Sequence, residues 1–335
     1  MRVDRDTLLK ELEMVSFGLS QREEINQSSC FLFQDGILWT YNDEISCRIK
    51  TSLPIEGAVQ AKPLLEIVRK ADSEELKIEQ EENKLKIRGE KFKSVLGMEK
   101  EVRIELDKEN EPSEWVPLNE DFSEAISMVQ ECAATDESMF ELTCINICPD
   151  KIESCNGRQL AIYRIETNLK KSFLCRRNSI RQMVSLNMTE FSEAPVWVHF
   201  RNPSGLIYSC RRFVDYRYPE LEKILNFTGI PVSLPKDLKD TIERVEIFSG
   251  ERLEDMADVH ILPNKMKITG QNAFGWLTEI REVQYSGEPI AFRIPPKLLL
   301  DISKRFSDIL IGKDRIKVEA GKYVFVASII ELDKE

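Results

Sequence analysis

Histidine is almost missing from this chain: His199 and His260 are the only two among 335 residues. Each lies in a strand-like context with no Ser, Cys or Asp partner in a recognisable arrangement, so imidazole acid–base chemistry has little support. Phosphate loops of the GxxxxGK[ST] or GxGxxG type, the zinc motif HExxH and the nucleophile elbow GxSxG do not occur either. The acidic residues form no fixed short constellation such as DxD in a loop, which argues against a metal-dependent nucleic-acid-processing enzyme. No apolar run approaches the roughly 20 residues that a bilayer crossing needs. The opening MRVDRDTLLKELEMVSF reads as an amphipathic helix with acidic residues and not as a signal peptide. A cytoplasmic protein without a membrane partner is expected.

An excess of positive charge is also lacking. Lys and Arg number 47 against 58 Asp and Glu, a net charge of −11. Proteins held to nucleic acid by bulk electrostatics are typically basic, so that mode is disfavoured, whereas a local basic stripe is not. The eight cysteines are scattered through apolar, strand-like segments, a pattern of reduced core thiols rather than of a disulfide framework. Cys144, Cys148 and Cys155 form the one cluster suggestive of metal. No histidine lies near it, and Cys144 and Cys148 would share one strand face, so neither a metal nor another cofactor is expected.

What the chain does have is self-similarity. Stretches opening at Asp6, Asp121 and Asp237 lie 115 and 116 positions apart. Each reads as an amphipathic helix, a hairpin, a second short helix and a closing strand pair. The hairpin turns carry Gly36, Lys151 and Lys265, 115 and 114 positions apart. Asp35-Gly36 between apolar runs is a strong hairpin signal. The second helices are expected over Pro63–Lys70, Ser179–Val184 and Pro296–Ile302, with proline opening the first and third. The closing pairs are 76–81 with 84–89, 196–201 with 206–211, and 309–312 with 315–319. Such a period exceeds a solenoid unit and matches a small domain. Three α+β modules follow, each with two helices on antiparallel strands: residues 1–115, 116–229 and 230–335.

Cations recur on or beside the second helices: Arg69 and Lys70, then Arg176, Arg177 and Arg181, then Lys304 and Arg305. Any one of them reads equally as part of a solvated helix face. Recurrence in three copies favours a functional surface.

This doubled helix-and-strand module in three tandem copies resembles the DNA polymerase III beta subunit, the bacterial sliding clamp family. Cys155-Asn156-Gly157-Arg158-Gln159-Leu160-Ala161 resembles that family's Thr-Asp-Gly-His-Arg-Leu-Ala, and Arg217-Tyr218-Pro219-Glu220-Leu221-Glu222-Lys223-Ile224-Leu225 resembles its Arg-Phe-Pro-Asp-Tyr-x-x-Val-Leu. Arg176-Arg177-Asn178 resembles Pro-Arg-Lys-Gly ahead of the middle domain's second helix. The likeness runs along the whole chain, each string being degenerate, and the short length suits a divergent or phage-encoded member.

The resemblance implies a non-enzymatic, head-to-tail homodimeric ring around double-stranded DNA. Its partners would be the replicative polymerase, the clamp loader and other proteins bearing clamp-binding motifs. By position, Arg22, Arg69 and Arg177 would contact DNA, with Lys70, Arg176 and Arg181 as neighbours. The partner-peptide groove would be lined by Leu142, Cys155, Gly157, Arg158 and Leu160 from the middle domain. Pro219, Lys223 and Ile224 would join them, with Val324 and Val326 from the third domain. Leu142, Leu160, Ile224 and Val324 read equally well as plain core. Val326-Ala327-Ser328-Ile329-Ile330 stands where the family has Met-Pro-Met-Arg-Leu, which alters the groove's chemistry. The seam between subunits would use Ile247 and Phe248, in a string resembling Ile-Leu-Ser-Asn-Glu-Lys, against Phe92 of the first domain. A monomeric protein-binding scaffold is the remaining alternative.

Overall fold

The computed structural model describes residues 1–23, 25–51, 53–104, 110–236, 238–249 and 255–332. Asp237, which marks the third repeat, lies outside the described residues, as does the Gly250-Glu251-Arg252 part of the seam string. The fold is α+β and its sheets are built from antiparallel pairs. Two compact units are formed. One comprises Met1–Gln130, Thr143–Ile152 and Ile165–Arg217; the other comprises Glu131–Leu142, Glu153–Arg164 and Tyr218–Glu335. The middle repeat thus contributes residues to both.

Helices come in pairs, as their apolar spacing requires. In the first repeat α1 (Arg5–Val15) buries Leu8, Leu12 and Val15, and α2 (Ala61–Lys70) buries Ala61, Leu64 and Val68. These i, i+3, i+4 spacings give each helix one apolar stripe, and the two helices pack side by side. Asp4 caps α1 by accepting from Thr7 N at 2.7 Å. Pro63 falls in the first turn of α2, where an N–H has no intrahelical acceptor.

The middle repeat departs from expectation. Its opening helix α3 (Phe122–Val129) forms, but the second is only a four-residue turn, α4 (Arg177–Ile180), continued by the 3-10 stretch Arg181–Leu186. Val184 and Ser185 are weak helix formers, and Asn187 closes the stretch in the left-handed conformation at φ 51° and ψ 50°. A further turn, α5 (Glu222–Leu225), leads into the third repeat. There α6 (Lys239–Ser249) packs beside α7 (Pro296–Arg305), whose Pro296 occupies the first helical position.

The strands of the first unit run in the order 2–4, 75–81, 84–88, 93–99, 57–60, 30–34, 37–41, 45–50, 207–211, 197–201, 190–193, 116–117. The second unit contains the run 159–164, 323–328, 315–320, 308–311, 230–233, and a separate sheet ordered 275–282, 265–272, 257–262, 290–294, 330–331. Successive repeats join strand to strand in equivalent ways. Ile45–Lys50 pairs with Ile207–Arg211, and Gln159–Arg164 pairs with Tyr323–Ser328.

The periodicity is visible in individual turns. Asn42 Oδ1 accepts from Glu44 N and Ile45 N at 3.2 and 2.8 Å. Asn156 Oδ1 accepts from Arg158 N and Gln159 N at 3.0 and 2.8 Å, and Asn272 Oδ1 accepts from Phe274 N at 2.8 Å. These Asx turns, 114 and 116 positions apart, each fix the register of the hairpin they close. The Asp35-Gly36 turn holds both residues at positive φ, 53° and 71°, as a two-residue hairpin of the primed type requires.

Replacing Asn42 or Asn156 with Ala removes two acceptor contacts each and is expected to destabilise the fold by about 1 kcal/mol, against about half that for Asn272→Ala. Urea midpoints check this ordering; equal midpoints for all three variants would contradict it.

Candidate functional site

The expected DNA-contacting cations all lie in the first unit, and they differ in how far their charge is already shared. Arg22 is exposed in the loop after Ser16–Gly18 and makes no ion pair with a described residue. Arg69, in the last turn of α2, reaches Glu66 at 3.0 Å and Glu13 of α1 at 3.1 Å. Lys70 lies 2.8 Å from the same Glu66, and these cations, Lys70 foremost, hold the Glu66 carboxyl below its usual range. Exposed pairs of this kind are weak, so the carboxylates hold these cations only loosely.

Arg176 is more deeply held. Its Nε lies 3.0 Å from Glu44 Oε1, while Ser179 Oγ donates to Glu44 Oε2 at 2.9 Å, so the group braces the start of α4. Arg177, the first residue of α4, is half-buried, and Arg181 is exposed on the following 3-10 turn. Sequence reading missed Arg5, whose guanidinium donates to the Val68 and Arg69 carbonyls at 3.3 and 3.0 Å and so satisfies the C-terminal end of α2. In the second unit Lys304 pairs loosely with Asp301 at 3.9 Å, Arg305 is exposed, and Arg244 is clamped by both oxygens of Glu279 at 2.6 and 3.0 Å.

The expected groove residues converge in the second unit. Leu142, Cys155, Leu160, Val324 and Val326 belong to one apolar cluster with Ile162, Leu221 and Leu225. Cross-strand register explains the convergence: Leu160 faces Val326 and Ile162 faces Val324 directly. Tyr218 packs on the cluster and its hydroxyl accepts from Cys155 N at 2.8 Å. Around it, Gly157, Arg158, Pro219, Lys223 and Ile224 are exposed. Gly157 sits at φ 83°, a left-handed conformation that favours glycine. Lys223 pairs with Glu220, and Arg164 forms a two-point ion pair with Glu222 at 2.8 and 3.0 Å, fastening the base of α5. The arrangement is an apolar floor beneath a polar rim, suited to apolar anchors whose register polar contacts fix.

The seam residues reveal more than the sequence suggested. Ile247 is 67 % exposed on α6, and Phe248 lies against Gly275. Strand Gly275–Glu282 is the edge of its sheet and carries Trp276 and Ile280 on one face, 67 % and 54 % exposed, after Phe274 at 95 %. Their period-two spacing is the sequence signal that could have marked this face. Phe92 is half-buried, its ring filling the space above Gly89. The neighbouring Lys93–Gly97 takes a described partner on one side only, Lys84–Arg88, and exposes Val95. Open apolar edges of this kind invite pairing with another chain.

Among the described residues no three His, Cys, Asp or Glu side chains are grouped to hold a metal ion, and no helix is long and apolar enough to cross a membrane. His199 is buried with Nδ1 2.7 Å from Ser209 Oγ.

No family model matches the chain, and no curated protein matches its sequence. Solved structures do match. The DNA polymerase III subunit beta of Pseudomonas aeruginosa is similar over 99% of this chain and 100% of its own, at TM-score 0.85 and 16% identity. The Pseudomonas aeruginosa sliding clamp bound to griselimycin matches over 99% of both chains, at TM-score 0.86 and 16% identity. The beta subunit from Thermotoga maritima matches over 99% of both chains, at 0.84 and 17%. The chain therefore has the sliding-clamp fold from end to end.

All eight cysteines are buried, and burial lifts their thiols where a shift is resolved, Cys30 to about 11 and Cys155 upward as well. Fewer than one thiol per chain is therefore expected to react with a colorimetric disulfide reagent at pH 8, and all eight after denaturation; rapid native labelling of several would contradict the packing described.

Proposed function

We propose that this chain, folded along its whole length as a DNA polymerase III beta-subunit sliding clamp, is a DNA polymerase processivity factor and not an enzyme. Two copies join head to tail into a ring, double-stranded DNA passes through it, and the helices face the DNA. The end-to-end fold likeness to beta subunits carries the reading. Three features of the chain support it. Exposed Arg22 and Arg181, with the loosely paired Arg69 and Lys70, supply a few cations on a protein of net charge −11. Few contacts are what sliding needs, because each neutralised phosphate steepens salt dependence and strengthens a grip that would slow movement. No base is read.

The open edges at Gly275–Glu282 and Lys93–Gly97 are the surfaces we assign to the seam, with Ile247, Phe248 and Phe92 beside them. Strand addition there would satisfy both edges and cover the exposed apolar side chains. The apolar cluster around Leu160 and Val324, with its rim at Gly157, Arg158, Pro219 and Lys223, takes linear motifs of the replicative polymerase, the clamp loader and other clamp-binding proteins. One clamp of this fold has been captured with griselimycin, which supports a ligand-taking surface. The repeat boundaries 1–115, 116–229 and 230–335 give six modules per ring, acting in the cytoplasm.

Light scattering tests the assembly. Twice the chain mass of 38.8 kDa is expected, falling to a single chain mass for the double variant Ile247→Asp, Trp276→Asp. A single chain mass for the unaltered protein would favour the monomeric scaffold. Cleavage of nucleic acid by pure protein with Mg²⁺ would favour the enzyme.

A further inference from the structure

We propose that the seam between two copies closes in a single register, with Trp276 of one copy directly opposite Val95 of the other and the indole seated over Gly97. This closure rests on the ring proposed above, and its register comes from the chain's own repeats. Two junctions inside the chain are antiparallel strand pairs, Ile45–Lys50 with Ile207–Arg211 and Gln159–Arg164 with Tyr323–Ser328. The counterparts of these strands in the third and first repeats are the open edges Gly275–Glu282 and Lys93–Gly97.

Counting from the Asx turns, Leu160 stands four residues after Asn156, and Trp276 stands four after Asn272. Packing against the helices gives the same equivalence. Leu8, Leu12 and Val15 recur with identical spacing as Leu238, Ile242 and Val245. Thr40, two positions before Asn42, donates through Oγ to the Val15 carbonyl. Gly270, two positions before Asn272, lies so close to the Val245 carbonyl that a Cβ would come within 2.3 Å of it.

The opposing strand is fixed in the same way. Lys86 faces Val95 as Lys317 faces Val326, each residue 231 positions on. With the same offset, Glu79 facing Lys86 recurs as Leu310 facing Lys317, and Arg2 facing Lys77 recurs as Ser233 facing Asp308. Trp276 therefore holds the place of Leu160, and Val95 that of Val326. Leu160 and Val326 face each other inside the chain. Carried to the seam, this register sets Trp276 against Val95, Leu277 against Ser94 and Thr278 against Lys93.

Backbone donors point the right way for it. Inside the chain Ser328 N donates to the Arg158 carbonyl at 2.8 Å, and Arg164 N donates to the Lys322 carbonyl at 2.9 Å. The matching bonds at the seam run from Gly97 N to the Phe274 carbonyl and from Ile280 N to the Lys91 carbonyl. Met98 N is directed to the Asn83 carbonyl and Val283 N to the Asn264 carbonyl, each toward its own neighbouring strand. N–H direction alternates along an antiparallel strand, so Val95, Gly97, Trp276, Thr278 and Ile280 donate toward the open edges. A slip of one residue would turn these donors away and move Trp276 to the other face. Trp276 and Val95 are both exposed in the single chain, and Gly97 has open space where a Cβ would stand. Diagonal cross-strand neighbours lie within reach of an aromatic side chain, so the indole covers Val95 and Gly97 together.

Disulfide trapping in the full-length chain reads the register. Leu277 and Ser94 would form a non-hydrogen-bonded pair, in which Cα atoms approach to about 4.5 Å and a disulfide can close. The double variant Ser94→Cys, Leu277→Cys, oxidised with copper phenanthroline, is expected to run at twice the chain mass on a non-reducing denaturing gel. Slips of two residues in either direction are read by Ser94→Cys, Glu279→Cys and by Phe92→Cys, Leu277→Cys, each expected to give at least fivefold less covalent dimer. The eight native cysteines are buried and stay out of the reaction. Should Leu277→Cys loosen the fold, Val95→Cys, Trp276→Cys replaces only exposed side chains and is expected to cross-link at least fivefold more than Gly97→Cys, Trp276→Cys. Predominant cross-linking of a slipped pair would overturn the register. So would the absence of cross-linking in every pair when light scattering shows a dimer. A single chain mass for the unaltered protein would overturn the ring itself, and the register with it.

Discussion

Each long helix here has a single apolar stripe, and that limitation organises the molecule. A helix such as α1, with Leu8, Leu12 and Val15 on one side and charge on the other, buries its stripe only beside a partner on a sheet. Burying one such leucine stabilises by roughly 1.5–3 kcal/mol, far more than any exposed ion pair on its other face. The pairing of α1 with α2, α3 with the stretch 181–186, and α6 with α7 follows. So does the solvent exposure of the charged faces that carry Arg69, Lys70, Arg181 and Lys304. Function is built on what packing leaves over.

The same economy governs the strands. Repeats are joined through antiparallel pairs, Ile45–Lys50 with Ile207–Arg211 and Gln159–Arg164 with Tyr323–Ser328, and each junction brings apolar side chains together across the strands. One junction yields the cluster of Leu160 and Val324, with no central charge. At the other, Arg48 stands between Trp39 and Ile207 on the neighbouring strands.

Much of this was legible in the sequence because it rests on local chemistry. Asp35-Gly36, the apolar spacing of Leu8, Leu12 and Val15, and the period between copies each have a short-range cause. Leu142, Cys155, Leu160, Val324 and Val326 were placed together by resemblance, and the strand register supplies the physical reason. What was not legible depends on distant partners. Arg69 looked like a free cation, but Glu13 approaches from another helix, 56 positions away in the chain. Arg176 looked exposed, but Glu44 reaches it from the turn between strands 37–41 and 45–50. The shortening of α4 was hidden because apolar spacing does not reveal how weakly Val184 and Ser185 hold a helix. Trp276 and Ile280 gave the right alternation, but only the sheet order shows that theirs is an edge strand.

An acidic protein with few uncommitted cations is poorly suited to hold DNA by contact, so the ring we propose would hold it by enclosure. Retention after loading, compared on nicked circular and on linear duplex of equal length, separates the two most directly. Gel filtration at moderate salt is expected to show the protein travelling with the circle and lost from the linear molecule within minutes. Equal retention on both, falling in parallel as salt rises, would mean that the chain grips DNA without surrounding it, and the account would fail.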